Sequence, residues 1–234
     1  SPEAMWRFLR ERRDGITDIP VDRWDPDAFF DEQRDKAGTT YVRRGGFLTD
    51  HDRFDPTAFG ISPREAAFMD PQQRVLLEVS YEAMEDAGMR PEALAGSPVG
   101  VYIGLFMHDY ENLHMGMSER ELIGPHSPTG MSTTISANRL SYVYDFRGPS
   151  VVVDTACSSS LVAVHLACNS ILSGEAPIAL AGGVNMLIKP EMTMALCRGS
   201  FLSPEGYCKS FSARADGYVR SEGCGVVVLK ALSA

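Results

Sequence analysis

The stretch from Ser150 to Ser173 constrains the fold of this chain most, because a strand pattern passes into a helix pattern at one cysteine. Ser150 to Ala156 contains three consecutive valines, a β-branched run typical of a strand covered on both faces. Ser158 to Ser173 is apolar or small almost all round, which predicts a buried helix. Cys157 therefore lies at the end of a predicted strand and at the start of a predicted helix.

This position suits a nucleophilic thiol. The first turn of a helix favours anions through its free N–H groups and its dipole. The same N–H groups can hold an oxyanion, an effect of about 3 kcal/mol per donor in acyl-transfer enzymes. The small residues around Cys157 suit a sharp turn like the nucleophile elbow of hydrolases, without its Gly-x-Ser-x-Gly pattern. We predict acyl-thioester chemistry at Cys157; on position alone, a merely structural role stays open.

The charge, the hydropathy and the cysteine spacing exclude several classes of function. The formal net charge of −9 argues against a general affinity for nucleic acid or for anionic membranes, which need surplus Lys and Arg. No window holds ~18 consecutive apolar residues, and no secretory signal is visible, so we expect a cytoplasmic protein. Without a C-x-x-C pair, neither a zinc site nor a disulfide framework is expected. The cysteines other than Cys157 are interpreted as structural: Cys168, Cys197, Cys208 and Cys224.

Strand patterns alternate with helix patterns along the chain, which favours a layered α/β fold. Ser1-Pro2 is typical of a helix start and suggests that the chain begins inside a larger protein. Two capping boxes, each starting a helix, are predicted at Ser62–Glu65 and Asp70–Gln73. The remaining predicted elements are strands at 98–104, 178–181 and 225–229, a long loop at 105–130 and a helix at 131–146.

A catalytic base is harder to find than the nucleophile. His165 follows Cys157 by eight residues on the same predicted helix, which puts it ~12 Å along the axis and out of reach. His108, His114 and His126 fall in the predicted loop, where histidines are mostly solvated. We therefore expect this chain to hold half of a catalytic site.

Around Cys157 and in several other motifs, the sequence resembles the amino-terminal half of a β-ketoacyl synthase (ketosynthase) domain. Such domains occur in type I polyketide synthases and multifunctional fatty acid synthases. The run Asp-Thr-Ala-Cys-Ser-Ser-Ser at 154–160 is highly specific for that family, and matches extend over essentially the whole chain. The other matching motifs are Asp70-Pro-Gln-Gln-Arg74, Ala137-Asn-Arg-Leu-Ser-Tyr142, Arg147-Gly-Pro-Ser150, Gly182-Gly-Val-Asn185, Leu202-Ser-Pro204 with Cys208-Lys209, and Asp216-Gly-Tyr-Val-Arg220 with Glu222-Gly223.

The resemblance implies the thiolase-like layered α/β/α/β/α fold, with residues 1–234 as its amino-terminal half only. It implies that Cys157 accepts an acyl chain from the phosphopantetheine of an acyl carrier protein, and that a decarboxylated malonyl-type extender attacks the thioester. The family's two active-site histidines belong to a His-Gly-Thr-Gly-Thr and an Asn-x-Gly-His motif, and neither occurs here. No cofactor is expected to bind the domain itself, and no metal site is expected.

The resemblance also suggests substrate-binding residues and partners. Ser132, Leu196 and Tyr218 would line the acyl tunnel or its mouth, although core packing is an equal alternative for each. The expected partners are acyl carrier protein, a second copy in a homodimer, and further synthase domains, including an acyltransferase. The sequence departs from common family residues at Ser212 and Ser221, which leaves the subfamily open.

Three hypotheses follow. The first is an elongating condensing enzyme, since a cysteine stands where decarboxylating loading domains have glutamine. The second is a scaffold for dimerisation and carrier docking whose cysteine has lost its role. The third is a thiolase or acyltransferase that uses the same Cys157 without decarboxylation. By itself, the chain is expected to have no condensing activity.

Overall fold

A computed structural model describes residues 1–116 and 120–233. The helices and strands alternate as the sequence predicts, and the chain divides into two compact units, Ser1–Leu48 with Leu187–Glu222, and Thr49–Met186 with the residues from Gly223 on. In chain order the elements are α1 Pro2–Arg10, β1 Ile16–Asp18, α2 Pro26–Phe29, β2 Arg44–Gly46, a 3-10 helix at Pro56–Phe59, α3 Pro63–Ala66, α4 Pro71–Asp86, α5 Pro91–Leu94, β3 Gly100–Gly104, α6 Asp109–Met115, a 3-10 helix at Arg120–Leu122, α7 Ser127–Met131, α8 Ile135–Tyr144, β4 Ser150–Val153, α9 Ser159–Leu172, β5 Ile178–Asn185, α10 Glu191–Arg198 and β6 Gly223–Lys230.

The second unit is built on a sheet with the strand order β4-β3-β5-β6. β4, β3 and β5 are parallel, and β6 runs antiparallel to β5. Helices α4 and α8 pack on one face, around a core that includes Leu76, Leu140 and Ile103. Helix α9 packs on the other face, where Ala163 and Ala167 contact small residues of the sheet. The α/β fold class is confirmed, and this unit has three layers with the sheet in the middle.

Two predictions about burial were wrong. β4 is an edge strand of the described sheet and is only half-buried, with Val151 39% exposed, whereas we expected a strand covered on both faces. Helix α9 is buried along one stripe only, and its apolar Leu161 and Leu172 are 75% and 84% exposed. An apolar run shows that a segment can be buried. It does not show which strand lies at the edge of the sheet or which helix face stays exposed.

The segment predicted as a long loop at 105–130 contains two helices, α6 and α7, in addition to the short 3-10 helix. Ser127 and Pro128 start α7, with the proline in the first turn, where its missing N–H costs nothing. Residues 117–119 of this predicted loop lie outside the described residues.

The first unit has less regular structure and is organised around one buried ion pair. β1 and β2 form an antiparallel pair. The guanidinium of Arg23 donates to both carboxylate oxygens of Glu222, from Nε at 2.9 Å and Nη2 at 2.8 Å, and the two side chains are 2% and 0% exposed. Glu222 also accepts from the backbone N–H groups of Leu48 and Leu187. One carboxylate thus joins three separate stretches of this unit.

Candidate functional site

Cys157 lies at a sharp turn between β4 and α9, two residues before the helix begins. Its side chain is exposed. The preceding residue, Ala156, has a φ of 54°, a left-handed conformation that costs a non-glycine residue about 1–2 kcal/mol. A strained residue persists only where its surroundings hold it in place, so the neighbouring hydrogen bonds must stabilise this turn.

Serine side chains hold the turn. Ser159 Oγ accepts from the N–H of Thr155 at 2.9 Å and donates to the carbonyl of Ala156 at 2.6 Å. Ser158 Oγ lies 2.9 Å from the carbonyl of Thr155, and Asp154 accepts from the N–H of Ala156 at 2.9 Å. From the sequence alone, Ser158 and Ser159 stand out only for their small size, and Asp154 only as part of the family motif. Their hydroxyl and carboxylate groups brace the strained peptide on both sides of Cys157.

Glycines let the start of α9 approach the sheet. A Cβ at Gly104, the last residue of β3, would lie 2.4 Å from the backbone nitrogen of Ser160. A Cβ at Gly183 on the neighbouring β5 would lie 2.8 Å from the Cβ of Ser160. The first turn of α9 therefore rests directly on the carboxyl ends of two parallel strands, the usual place for a ligand site in an α/β sheet.

This close packing gives a prediction for Gly104→Ala. We expect the added methyl to push α9 away from β3 and to lower the free energy of unfolding by about 1–3 kcal/mol, the usual cost of overpacking. Gly225→Ala is the matched control, because a Cβ there meets nothing within 4 Å. Urea denaturation of both variants measures the difference, and an equal loss of stability would contradict this account of Gly104.

The backbone N–H of Cys157 lies just before α9. Ser158 is the N-cap of this helix, so the prediction that Cys157 belongs to its first turn is wrong by this one step. Among the described residues, none accepts a hydrogen bond from the Cys157 N–H. A backbone N–H that lies beside a helix N-terminus and has no internal acceptor is available to an anionic atom of a ligand. The exposed sulfur and this donor belong to the same residue.

The other predicted site residues are distributed over both units. Ser132 directly follows α7 and is partly exposed. It belongs to the second unit, which also contains Cys157. Leu196 and Tyr218 belong to the first unit, where Leu196 packs against a cluster that contains Tyr41 and Leu202, and Tyr218 is 41% exposed.

The histidines have local partners. His108 lies 3.3 Å from Glu111, and His165 lies 3.0 Å from Asn169 on the same exposed face of α9. His114 packs against the ring of Tyr110, and burial lowers the pKa of its imidazole. Within residues 1–116 and 120–233, no group of three or more His, Cys, Asp or Glu side chains could hold a metal ion.

The five cysteines are free thiols in different surroundings. Cys157, Cys168 and Cys208 are exposed, whereas Cys197 is buried. Burial raises the pKa of the Cys224 thiol to about 12 and also raises the pKa of Cys197. We expected the cysteines other than Cys157 to be structural, but Cys168 and Cys208 are accessible to solvent.

Iodoacetamide should separate these thiols. We expect Cys197 and Cys224 to resist alkylation in the folded protein, and Cys157 to react about tenfold faster than Cys168 and Cys208, because it lies beside the N–H groups of a helix start. The two exposed thiols are the controls for accessibility. Peptide mass spectrometry after timed quenching gives the rates, and equal rates at the three exposed cysteines would contradict an activated Cys157.

The sequence motif Asp70–Arg74 forms a buried polar network around the start of α4. Asp70 caps this helix as predicted, accepting from the N–H of Gln72 at 2.8 Å. Burial raises the pKa of Asp70 to about 6, against the lowering effect of its hydrogen bonds to Gln72. The predicted capping box at 70–73 is wrong in one respect: the side chain of Gln73 does not return to Asp70, whose N–H donates instead to the carbonyl of Gly130.

Comparison with known proteins identifies the family of this chain and the class of its fold. The model of the family "Beta-ketoacyl synthase, N-terminal domain" matches residues 1–234. This chain belongs to that family, and its fold is the amino-terminal half of the thiolase-like ketosynthase fold. Among the described residues, none of the helices has both the length and the apolar character that crossing a membrane requires.

Its relatives are polyketide synthases. The chain is 49% identical over 232 residues to a phenolphthiocerol/phthiocerol polyketide synthase polypeptide of Mycobacterium bovis, covering 99% of this chain and 13% of that protein. It is 47% identical to a different polypeptide of the phenolphthiocerol/phthiocerol polyketide synthase, from Mycobacterium tuberculosis, covering 99% of this chain and 15% of the relative. The chain thus spans a small part of the curated relatives it matches.

Solved ketosynthases have the same fold. An oxazolomycin ketosynthase domain of Streptomyces albus JA3453 superposes with a TM-score of 0.90 at 42% identity, over 98% of this chain and 40% of that one. The ketosynthase from module 6 of the bacillaene synthase of Bacillus subtilis 168 gives a TM-score of 0.86 at 38% identity, over 99% of this chain and 37% of that one.

Proposed function

We propose that this chain is the nucleophile-bearing half of an elongating condensing domain in a polyketide or fatty acid synthase. Residues 1–234 would form the amino-terminal half, and the histidine motifs would be supplied by a carboxyl-terminal half. The observation that carries the proposal is the exposed sulfur of Cys157 at a braced strand-to-helix turn, which follows one of the three parallel strands of the sheet.

The first half-reaction is acyl transfer to Cys157. The Cys157 thiolate attacks the carbonyl carbon of an acyl thioester on phosphopantetheine, and a tetrahedral oxyanion forms. The backbone N–H of Cys157 is placed to donate to that oxyanion, an effect of about 3 kcal/mol per donor in related chemistry. The carbon–sulfur bond to pantetheine then breaks, and the carrier leaves as a thiolate, which takes up the proton that the Cys157 thiol released to form its own thiolate.

The second half-reaction is a decarboxylative Claisen condensation. A malonyl-type extender on carrier protein loses CO₂, and the electron pair of the broken bond forms an enolate. The enolate carbon attacks the Cys157 thioester, a carbon–carbon bond forms, and the Cys157 thiolate leaves. The β-ketoacyl product remains on the carrier. The domain itself binds no cofactor in this scheme, because phosphopantetheine arrives on the acyl carrier protein as part of the substrate.

Ser132, Leu196 and Tyr218 are proposed to contact the acyl chain. Ser132 and Tyr218 have solvent-accessible side chains, as residues near a tunnel mouth require. Leu196 is only partly buried at the border of its cluster, which leaves apolar surface for an alkyl chain.

A second copy and further synthase domains are the proposed partners, together with the acyl carrier protein. An edge strand has unpaired N–H and C=O groups that another strand can use, and β4 has such an edge with a half-exposed valine run. The polyketide synthase relatives, of which this chain covers a small part, favour a parent chain with further domains. The family resemblance suggests that one of these is an acyltransferase. The five free thiols fit a reducing, cytoplasmic setting.

The proposal is tested by acyl loading in the full-length protein that contains this chain. Incubation with an acyl-pantetheine thioester, followed by proteolysis and mass spectrometry, should place the acyl group on the peptide with Cys157. Addition of malonyl-carrier protein should then remove it as a β-ketoacyl product. An acylated Cys157 that transfers its group without loss of CO₂ would favour a non-decarboxylating acyltransferase, and no acylation at all would favour a silent scaffold.

A further inference from the structure

The side-chain amide of Gln73 holds one short stretch of backbone, Thr129–Ser132. Its Nε2 lies 3.2 Å from the carbonyl oxygen of Thr129, 3.1 Å from that of Gly130 and 3.4 Å from that of Ser132. Gln73 is 1% exposed, so these contacts are made away from water. We call Thr129–Ser132 the clamped segment.

The guanidinium of Arg139 fixes the orientation of that amide. Its Nε donates to the Oε1 of Gln73 at 2.8 Å, and its Nη2 donates to the carbonyl of Thr129 at 3.2 Å. Arg139 is in turn paired with Glu65 through Nη1 at 2.6 Å. Because a guanidinium only donates, the oxygen of Gln73 must face Arg139, and its two N–H groups must face the clamped segment.

The clamped segment has little freedom on its other sides. The N–H of Asp70 donates to the carbonyl of Gly130 at 2.8 Å. A Cβ at Gly130 would lie 2.1 Å from the carbonyl oxygen of Phe68, so the backbone of the segment passes close to the chain before α4. The segment ends at Ser132, whose side chain is partly exposed. Thr129 at the other end of the segment is exposed, whereas Gly130 and Met131 between them are buried. A rigid main chain thus carries Ser132 directly after two buried residues.

We infer that Gln73 is a positioning residue that sets acyl-chain selectivity by fixing the backbone that carries Ser132. This inference rests on the proposed function, in which Ser132 contacts the acyl chain. Gln73 acts through the clamped segment, because the hydrogen bonds of its side chain go to that segment and to Arg139. Its loss should therefore change which acyl chains load and leave the loading chemistry intact.

The neighbouring Gln72 provides a matched control. It is also 1% exposed on α4, but its Nε2 donates to Asp70 and to the carbonyl of Met107 instead of to the clamped segment. Gln73→Leu and Gln72→Leu each remove a buried amide of the same size from the same helix. A general loss of stability should lower acyl loading in both variants. A displacement of Ser132 is expected only in Gln73→Leu.

The experiment measures acyl loading of Cys157 in the full-length protein with acetyl-pantetheine and octanoyl-pantetheine. For Gln73→Leu we expect the ratio of the two kcat/KM values to change by about tenfold, since misplacement of a substrate-contacting segment can cost about a hundredfold. The ratio should stay within about twofold of the wild type in Gln72→Leu. Arg139→Lys, which frees the amide of Gln73 to turn, should shift the ratio in the same direction as Gln73→Leu.

The outcomes separate this inference from the proposed function. If the wild-type protein loads neither thioester, the proposed function fails. If the wild type loads both, but Gln73→Leu shifts the ratio no more than Gln72→Leu does, the inference is wrong and the proposed function stands. Should Gln73→Leu fail to fold, an unchanged ratio in a folded Arg139→Lys would overturn the inference as well.

Discussion

Replacing Cys157 by alanine is expected to lower acyl loading of the full-length protein by about a thousandfold or more, because loss of a covalent nucleophile removes the intermediate itself. The β-carbon and the backbone N–H remain in the variant, so the turn and the oxyanion donor should keep their places. The measurement is the amount of acyl group retained on the protein after incubation with an acyl-pantetheine thioester. Condensation should disappear together with loading.

The chain contains controls for this experiment. Cys168 and Cys208 are also exposed thiols, so Cys168→Ala and Cys208→Ala should keep full loading. A Cys157→Ser variant preserves the shape of the side chain but replaces a good nucleophile by a poor one, and should load far more slowly than the wild type. Retained loading in Cys157→Ala would show that another group carries the acyl chain, and the scaffold hypothesis would then account for the turn.

The position of Cys157 could be predicted from the sequence because its signals are local. A β-branched run, a cysteine and a stretch of small residues are contiguous, and each step follows from steric and capping preferences. The left-handed Ala156 could not be predicted in this way, since alanine has no preference for that conformation. It is held by the carboxylate of Asp154 before it and by the hydroxyls of Ser158 and Ser159 after it, and only the three-dimensional arrangement shows which atoms these groups reach.

Several features that the sequence did not reveal depend on residues far apart in the chain. Whether β4 lies at an edge depends on strand order, which pairing of distant residues decides. The same holds for Gln73, whose spacing after Asp70 fits a capping box but whose partners lie more than 50 residues further along the chain. The glycines at 104 and 183 gave a signal that could have been used, because both stand at the ends of predicted strands, where close approach of another backbone needs glycine.

Glu222→Leu is expected to lower the free energy of unfolding by about 3–5 kcal/mol, the usual cost of leaving one partner of a buried ion pair without the other. Removal of the carboxylate deprives Arg23 of two charge-assisted hydrogen bonds in a site with 2% side-chain exposure. It also removes the acceptor of the N–H groups of Leu48 and Leu187. Urea denaturation monitored by circular dichroism measures the loss.

The double variant Arg23→Met/Glu222→Leu decides whether the cost comes from the buried guanidinium. Without Glu222, Arg23 keeps its 3.4 Å pair with the largely exposed Asp22 and its hydrogen bond to the carbonyl of Leu48. Replacing both charged groups by apolar ones of similar size removes this weakly compensated guanidinium, so the double variant should be more stable than Glu222→Leu alone. It should not regain the full stability, because the N–H groups of Leu48 and Leu187 still lack their acceptor. Arg53→Gln, which breaks an exposed pair with Asp50, is the control and should change stability little. If the double variant were as unstable as Glu222→Leu, the lost stability would lie in the two backbone hydrogen bonds, and Glu222 would act chiefly as their acceptor.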